Sequence, residues 1–161
     1  MRYFLLAFFI VFTASAQETI NQTIRKKNDA AMAIYPKDPN LALKQLLVIE
    51  KEAKQLKHNT SLAFTINNIG IVTRVVGDFE KAIAYSNQSL KLTKDSLIVA
   101  SASNNIGSCK RNIGLYEEAL KAYLIAIEIY DAKKDLKNQA IVNNNLGLVY
   151  RSLEMNVKAK E

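Results

Sequence analysis

The chain has 161 residues, 49% of them hydrophobic and 23% charged, with a formal net charge of +7. This length suits a single domain, and the composition is that of an ordinary globular protein, which excludes a long low-complexity or disordered tract. Five glycines, two prolines and no tryptophan, with abundant Ala, Leu, Ile, Lys and Asn, favour an all-α fold with few tight turns.

The first segment, residues 1–16, is predicted to be a secretory signal peptide. Arg2 is followed by an apolar run over residues 3–12 and by small residues at 14–16, which suit a cleavage site. The run is about half of the roughly 20 residues that a membrane-spanning helix needs, so a permanent anchor is the less favoured alternative. The mature chain would begin at Gln17, with 21 basic and 15 acidic residues. We therefore expect an exported protein, periplasmic or secreted, and export together with scattered Lys and Arg argues against nucleic acid as a partner.

Residues 17–58 are predicted to form a first, irregular pair of helices. The turn between them is indicated by the segment YPKDPN at residues 35–40, in which two prolines interrupt the helical pattern. The second helix of the pair is expected over residues 41–56. This pair is therefore interpreted as a degenerate copy of the units that follow.

A four-letter motif recurs through the rest of the chain. Asn-Asn-Ile-Gly occurs at residues 67–70 and 104–107, and Asn-Asn-Leu-Gly at 144–147, so the interval between successive copies is nearly constant. Self-similarity at such a period is typical of a solenoid of stacked helix pairs. We expect units at about residues 60–96, 97–136 and 137–161, the last one incomplete and its second helix beginning in the segment EMNVKAKE. Such an uncapped last unit makes self-association a further possibility.

Within each unit the pattern predicts two helices joined by a short break. Gly77 and Gly114 can adopt the positive φ that ends a first helix. A glycine inside a helix costs about 1 kcal/mol relative to alanine, so its recurrence indicates close contact with the partner helix. The residues predicted to lie at these helix-packing contacts are Gly70, Gly107, Gly147, Ala82, Ala119, Ala126 and Ala159.

The third unit resembles the tetratricopeptide repeat (TPR) family. The family pattern is matched by Ile106-Gly107, the turn Gly114-Leu115-Tyr116, and then Ala119, Tyr123 and Ala126. This resemblance implies a TPR-like α-solenoid of antiparallel helix pairs in a right-handed superhelix, with the first helices on the concave surface. Similarly lengthened repeats occur in Rap-type bacterial regulators, kinesin light chains and Pins-type scaffold proteins.

The sequence offers no catalytic or metal-binding constellation. His58 and Cys109 are each the single residue of their type, and no Gly-rich phosphate loop is present. Cys109 is interpreted as a small buried apolar residue, with an intermolecular disulfide as the alternative. We therefore expect no enzyme activity, no cofactor and no metal.

Paired asparagines and arginines mark the first helix of each unit. The first asparagine stands seven residues, nearly two helical turns, before an arginine, with a small or apolar residue between them. Amides can pair with a peptide backbone and guanidinium groups with carboxylates. The alternative is that these residues form a solvent-exposed helix face and recur only because the units arose by duplication. The predicted concave-face binding residues are Asn67, Asn68, Ile71, Arg74, Asn104, Asn105, Ser108, Arg111, Asn144, Asn145, Leu148 and Arg151.

The leading functional hypothesis is an exported module that binds a protein or peptide, with a carboxylate-bearing partner as one possibility. A signal peptide followed at once by lengthened repeats resembles the periplasmic sensor regions of bacterial two-component histidine kinases and related regulators. That resemblance implies the sensory or scaffold part of an envelope signalling protein, tethered through sequence beyond this chain. The alternatives are a stand-alone periplasmic or secreted adaptor or assembly factor and, less favoured, a substrate-recruiting part of a larger enzyme.

Overall fold

The computed structural model describes the backbone of residues 2–158 and the side chains of residues 18–155. This part of the chain folds into seven helices joined by short turns, which confirms the all-α solenoid. The helices are α1 (Arg2–Ile34), α2 (Pro39–Gln55), α3 (Asn59–Val75), α4 (Phe79–Leu92), α5 (Ser96–Asn112), α6 (Tyr116–Lys133) and α7 (Leu136–Lys158). The backbone of residues 2–16 belongs to α1, and their assignment as a signal peptide stays a prediction.

Short polar side chains define where several helices begin. The carboxylates of Asp38, Asp78 and Asp95 accept hydrogen bonds from backbone N–H groups in the first turns of α2, α4 and α5. His58 does the same for α3, because its Nδ1 accepts from the N–H of Ser61 at 3.1 Å. These caps satisfy donors that have no partner within the helix. The lone histidine therefore has a structural role at a helix start.

The two predicted turn glycines end their helices in the left-handed conformation. Gly77 has φ of 93° and Gly114 has φ of 81°, which glycine adopts without a Cβ clash. Glu154 follows Gly114 at the same interval at which Gly147 follows Gly107. Glu154 is therefore the position of the last unit that corresponds to the turn glycines. The expected break there does not form, and α7 continues as one helix to Lys158. The second helix predicted for the segment EMNVKAKE is therefore not formed within the described residues.

The helices stack so that the odd-numbered ones form an inner layer. Each helix packs on the next in the chain, and α3 also packs on α1 and α5, as α5 does on α7. Within the described part, no Cα atoms of α2 and α4, or of α4 and α6, lie within 8 Å of each other. Because the odd-numbered helices are closer together than the even-numbered ones, the stack curves with the first helices of the units on its inner side.

Two apolar clusters stabilise the ends of the stack, with a more polar zone between them. One cluster lies between α1, α2 and α3 around Leu46 and Ile69, and the other joins α5, α6 and α7 around Tyr123 and Val142. The buried residues of α4 are only Ala82, Ser86 and Ser89. The side chains that α4 buries in the middle of the molecule are therefore small or polar, and its buried hydroxyl groups must find hydrogen-bond partners there.

The three repeated helix glycines have different surroundings. A Cβ built on Gly107 would lie 2.8 Å from the ring of Tyr123, and one on Gly70 would lie 3.1 Å from Ser86 Oγ. Gly147 is exposed, and a Cβ there would meet nothing within 4 Å. The contact predicted for Gly147 is thus not formed among the described residues, because no second helix lies on that side of α7. The predicted packing alanines Ala82, Ala119 and Ala126 are fully buried, and Ala159 lies outside the described residues.

Candidate functional site

The inner helix layer encloses a pocket of about 310 Å³. All four odd-numbered helices line it, together with the turn after α1 and the end of α6. Its lining combines apolar, amide and phenol groups with one guanidinium: Met32, Tyr35, Ile71, Arg74, Ser101, Asn104, Asn105, Tyr130, Asn138 and Ile141. A cavity of this size lies at the lower end of the range for small-ligand sites. It can receive a few amino-acid residues or a molecule of similar bulk.

A buried hydrogen-bond network orients the guanidinium in this pocket. Arg74 Nε donates to Asn105 Oδ1 at 2.7 Å, and Asn105 Nδ2 donates to Ser86 Oγ at 2.9 Å. Asn105 is only 2% exposed and Ser86 is fully buried. The absence of a side chain at Gly70 makes room for this arrangement, since a Cβ there would lie 3.3 Å from Asn105 Nδ2. The glycine of the repeat motif therefore has a direct connection to the pocket.

One cation, Arg74, lines the pocket, and one carboxylate, that of Asp135, is bonded to a lining residue. Arg74 forms no ion pair with a described residue. Asp135 lies behind the lining residue Asn138, which donates its side-chain amide to the carboxylate at 2.7 Å. That side-chain bond and the backbone bond from the same residue lower the pKa of Asp135. The negative charge of Asp135 is thus stabilised by hydrogen bonds from the first turn of α7.

Tyr130 lines the pocket at the end of α6. Burial raises the pKa of Tyr130 to about 12, the negative charge of Asp135 adds to the effect, and a hydrogen bond with Ser101 opposes it. The phenol therefore remains protonated at neutral pH and can take part only as a neutral hydrogen-bonding group.

The second asparagine of each predicted pair bonds back to the preceding first helix. Asn68 Nδ2 donates to Asn28 Oδ1 at 3.0 Å, and Asn145 Nδ2 donates to Asn104 Oδ1 at 3.1 Å. Asn105 is likewise bonded to the preceding first helix, because its Oδ1 accepts from Arg74 Nε of α3. These amides connect neighbouring units of the stack, so their hydrogen bonds are used within the fold.

Asn28 belongs to this series, and the sequence interpretation missed it. It precedes Asn68 by the same interval that separates Asn105 from Asn145. Extending the repeat spacing backwards into the irregular first unit would have found it. Asn28 is fully buried and donates to Ile24 O and Thr65 Oγ1, both at 2.9 Å.

The first asparagines of the pairs differ in exposure. Asn67 is 1% exposed and donates to Ser101 Oγ at 2.8 Å, while its Oδ1 is the one buried side-chain polar atom of the described part without a partner. Asn104 is half-buried and lines the pocket. Asn144 is exposed on α7. Three residues with the same place in the repeat thus have three different environments.

The pocket collects only part of the predicted binding set. Ile71, Arg74, Asn104 and Asn105 line it. The others do not: Ser108 is buried and accepts from Tyr123 O–H at 3.1 Å, Arg111 and Leu148 are half-buried, and Arg151 is exposed. Tyr35, Tyr130 and Asn138 were not predicted, because nothing in the repeat pattern indicates that turn and helix-end residues reach the inner layer. Ser86 was also not predicted, and it acts from the middle of α4 through its hydrogen bond with Asn105.

Beside the pocket, an ion pair crosses the inner layer. Arg25 of α1 lies 3.7 Å from Asp95 at the start of α5, and its guanidinium carbon is 4.6 Å from the ring centroid of Phe64 on α3. Stacking of a guanidinium on an aromatic face is favourable. This contact covers part of the inner surface of α3 near its N-terminal end.

Other candidate sites have less to offer. Cys109 is a buried free thiol whose pKa burial raises to about 11, so it is a protonated and unreactive group at neutral pH. Within the described residues, no group of three or more His, Cys, Asp or Glu could hold a metal ion, and no helix is long and apolar enough to cross a membrane.

No protein-family model matches the sequence, and neither does any curated protein. Among the solved structures similar to this chain is the crystal structure of BtubC (BKLC) from P. vanneervenii, with a TM-score of 0.54 and 19% sequence identity. The match covers 85% of this chain and 66% of that chain. The protein thus spans slightly less than two thirds of the length of this neighbour, and at this identity the similarity concerns the fold alone.

Proposed function

We propose that this chain is a protein-interaction module that binds a peptide segment in the inner pocket, and that its repeats are TPR-like. The observation that carries the proposal is the convergence of four successive first helices on one cavity of about 310 Å³. Its lining offers amides and phenols for hydrogen bonds, apolar contacts from Met32, Ile71 and Ile141, and a guanidinium. Such a mixture is suited to recognition, and the proposal includes no catalytic role.

Display of a random peptide library on phage, selected against the purified chain, tests this binding function. We expect selected peptides whose binding is lost in Ile71→Trp, because the larger side chain fills the pocket. Leu124→Trp is the matched control, since Leu124 is 47% exposed on α6 and does not line the pocket. Peptides that bind the Ile71→Trp variant as well as the wild type would refute the assignment of the pocket.

We further propose that the module is exported and forms the sensory or scaffold part of an envelope signalling protein. This rests on the signal-peptide pattern of residues 1–16 and on the resemblance to periplasmic sensor regions. The alternative is a stand-alone adaptor. Immunoblotting and intact mass of the native protein distinguish them: a membrane-held species that begins at Gln17 and is much larger than this chain supports the sensor. A soluble species that ends at Glu161 supports the adaptor, and a species that retains Met1 contradicts export by cleavage.

A further inference from the structure

Arg74 differs from the cations that form ion pairs within the described part of the chain. It is half-buried and lines the pocket, and no described carboxylate pairs with it. The ion-paired cations are Arg25, Lys27, Lys54, Lys81 and Lys110. A larger depression of about 530 Å³ on the outer side is lined by Lys110, Lys121 and Glu118, and Glu118 pairs with Lys110 at 2.5 Å. Its cations are ammonium groups on flexible side chains. The inner pocket is therefore the one of these two cavities that presents an unpaired guanidinium.

The fold also fixes how this guanidinium is presented. Its Nε donates to Asn105, which is itself held by Ser86, so one donor of the group is used to orient it. The remaining N–H donors of a guanidinium form a planar fork that matches the two oxygens of a carboxylate. Because the fork is held in place before a ligand arrives, less conformational entropy is lost on binding.

We propose that Arg74 is the anion-recognition group of the pocket and binds a carboxylate of the occupant. The carboxylate is either the C-terminus of a peptide or an Asp or Glu side chain. This inference rests on the proposed peptide-binding function. Asn105 and Ser86 act as positioning residues for Arg74, and Gly70 leaves the space that their hydrogen bond requires.

The size and charge of the pocket favour this ligand over a longer or more highly charged one. A volume of about 310 Å³ accommodates a short segment, and the Arg25–Asp95 pair covers the neighbouring inner surface over Phe64. One guanidinium balances the single charge of a carboxylate. The carboxylate of Asp135 behind Asn138 opposes the approach of a doubly charged phosphate.

Three small probes separate the two sources of the carboxylate. N-acetylalanine carries a terminal carboxylate, N-acetylaspartate α-amide carries a side-chain carboxylate, and N-acetylasparagine α-amide is the neutral isostere. Titration is followed by NMR through the Nε–H resonance of Arg74 and the side-chain amide of Asn105. We expect saturable shifts with at least one charged probe and at least roughly tenfold weaker binding of the neutral one, because charge-assisted hydrogen bonds are stronger than neutral ones. Equal binding of the charged and neutral probes would overturn the proposal.

Variants then test whether Arg74 itself is responsible. Arg74→Gln should weaken binding of the preferred charged probe at least about tenfold, with Arg74→Lys retaining part of the affinity. Lys91→Gln, which removes one exposed cation from α4, should leave it unchanged. In the measurements on Arg74→Gln and Lys91→Gln, binding is followed through the NMR resonances of the probe. Unchanged affinity in Arg74→Gln would overturn the proposal.

A second variant keeps the test valid if Arg74→Gln folds poorly. Asn104→Asp places a carboxylate on the pocket wall and keeps the Oδ1 atom that accepts from Asn145. The new carboxylate should compete with the probe for Arg74. The affinity for the charged probe should therefore fall at least about tenfold, and the affinity for the neutral probe should be unchanged. If Asn104→Asp binds the charged probe as tightly as the wild type does, the carboxylate assignment is wrong.

The selected phage peptides distinguish failure of this inference from failure of the proposed function. One synthetic version has an amidated C-terminus, and another has Asp and Glu replaced by Asn and Gln. The version that lacks the recognised carboxylate should bind at least about tenfold more weakly than the original peptide. Peptides that occupy the pocket equally well without any carboxylate overturn the role of Arg74 and leave the module intact. A library that yields no pocket-dependent peptide overturns the peptide-binding function instead.

Discussion

The first helices of the second and third units differ sharply from α7, although all three carry the same Asn-Asn-x-Gly motif. Gly107 faces the ring of Tyr123 and Gly70 faces Ser86, whereas Gly147 faces open space. The motif is therefore compatible with a close helix contact but does not create one. A partner helix on the other side decides whether the missing side chain matters.

A second difference lies between the two packed glycines. Ser86 and Tyr123 occupy equivalent places in the repeat, at the same interval as Gly70 and Gly107. The small Ser86 leaves room for the amide of Asn105, which in turn holds Arg74. Tyr123 fills the corresponding space with its ring and bonds to Ser108. One residue per unit thus decides whether the interior holds a polar network or an aromatic ring.

Removal of the ring should have the largest effect. Tyr123→Ala deletes a fully buried side chain from the α5–α6–α7 cluster, and we expect a loss of about 3–5 kcal/mol in the free energy of unfolding. Ser86→Ala is the matched control in the neighbouring unit and should cost about 1–3 kcal/mol, since it removes one hydrogen-bond partner of a buried amide. Urea denaturation followed by circular dichroism measures both. Equal losses would show that the two units do not differ as described.

Adding a methyl group at the packed glycine should have an intermediate effect. A Cβ at Gly107 would clash with the ring of Tyr123 at 2.8 Å. Overpacking costs about 1–3 kcal/mol, and the better helix propensity of alanine offsets about 1 kcal/mol, so Gly107→Ala should be destabilising by up to about 2 kcal/mol. Combined with Tyr123→Ala, the same change should no longer be destabilising, because the clash is gone. Additive losses in this double-mutant cycle would contradict the contact.

The same substitution on α7 should have the opposite sign and the smallest magnitude. Gly147 is exposed and has no neighbour within 4 Å, so Gly147→Ala gains helix propensity without a clash and should be stabilising by up to about 1 kcal/mol. The measurement is the urea midpoint at several protein concentrations. A destabilising effect, or one that grows with concentration, would mean that another surface covers α7 in solution.

Much of the architecture could be predicted from the sequence, because it depends on local patterns. The recurrence of the motif at a nearly constant interval indicated stacked helix pairs, and glycines in the right places indicated the turns at Gly77 and Gly114. These features follow from the chain's own backbone preferences and periodicity. The end of the repeat series was predicted wrongly: a second helix was expected to begin in the segment EMNVKAKE, but Glu154 stands where the turn glycines stand in earlier units, and α7 runs on to Lys158.

The candidate site was only partly predictable. Ile71, Arg74, Asn104 and Asn105 were expected on the inner face and do line the pocket. The periodicity could not separate these residues from Asn67 and Asn68, which are buried and bonded to neighbouring helices. Equivalent positions in a repeat share a helix face, but exposure depends on the side chains that the next unit brings.

By itself, the sequence determined that this protein is a helical solenoid, how its units are spaced and where its regular turns fall, since these depend on residues close together in the chain. Only the tertiary structure decided which asparagines join helices, that Asn28 is one of them, and that Ser86 and Asn105 hold Arg74 toward a pocket. The physical reason is that a hydrogen bond or a clash depends on a partner that can lie dozens of residues away. That partner is fixed only when the helices are packed.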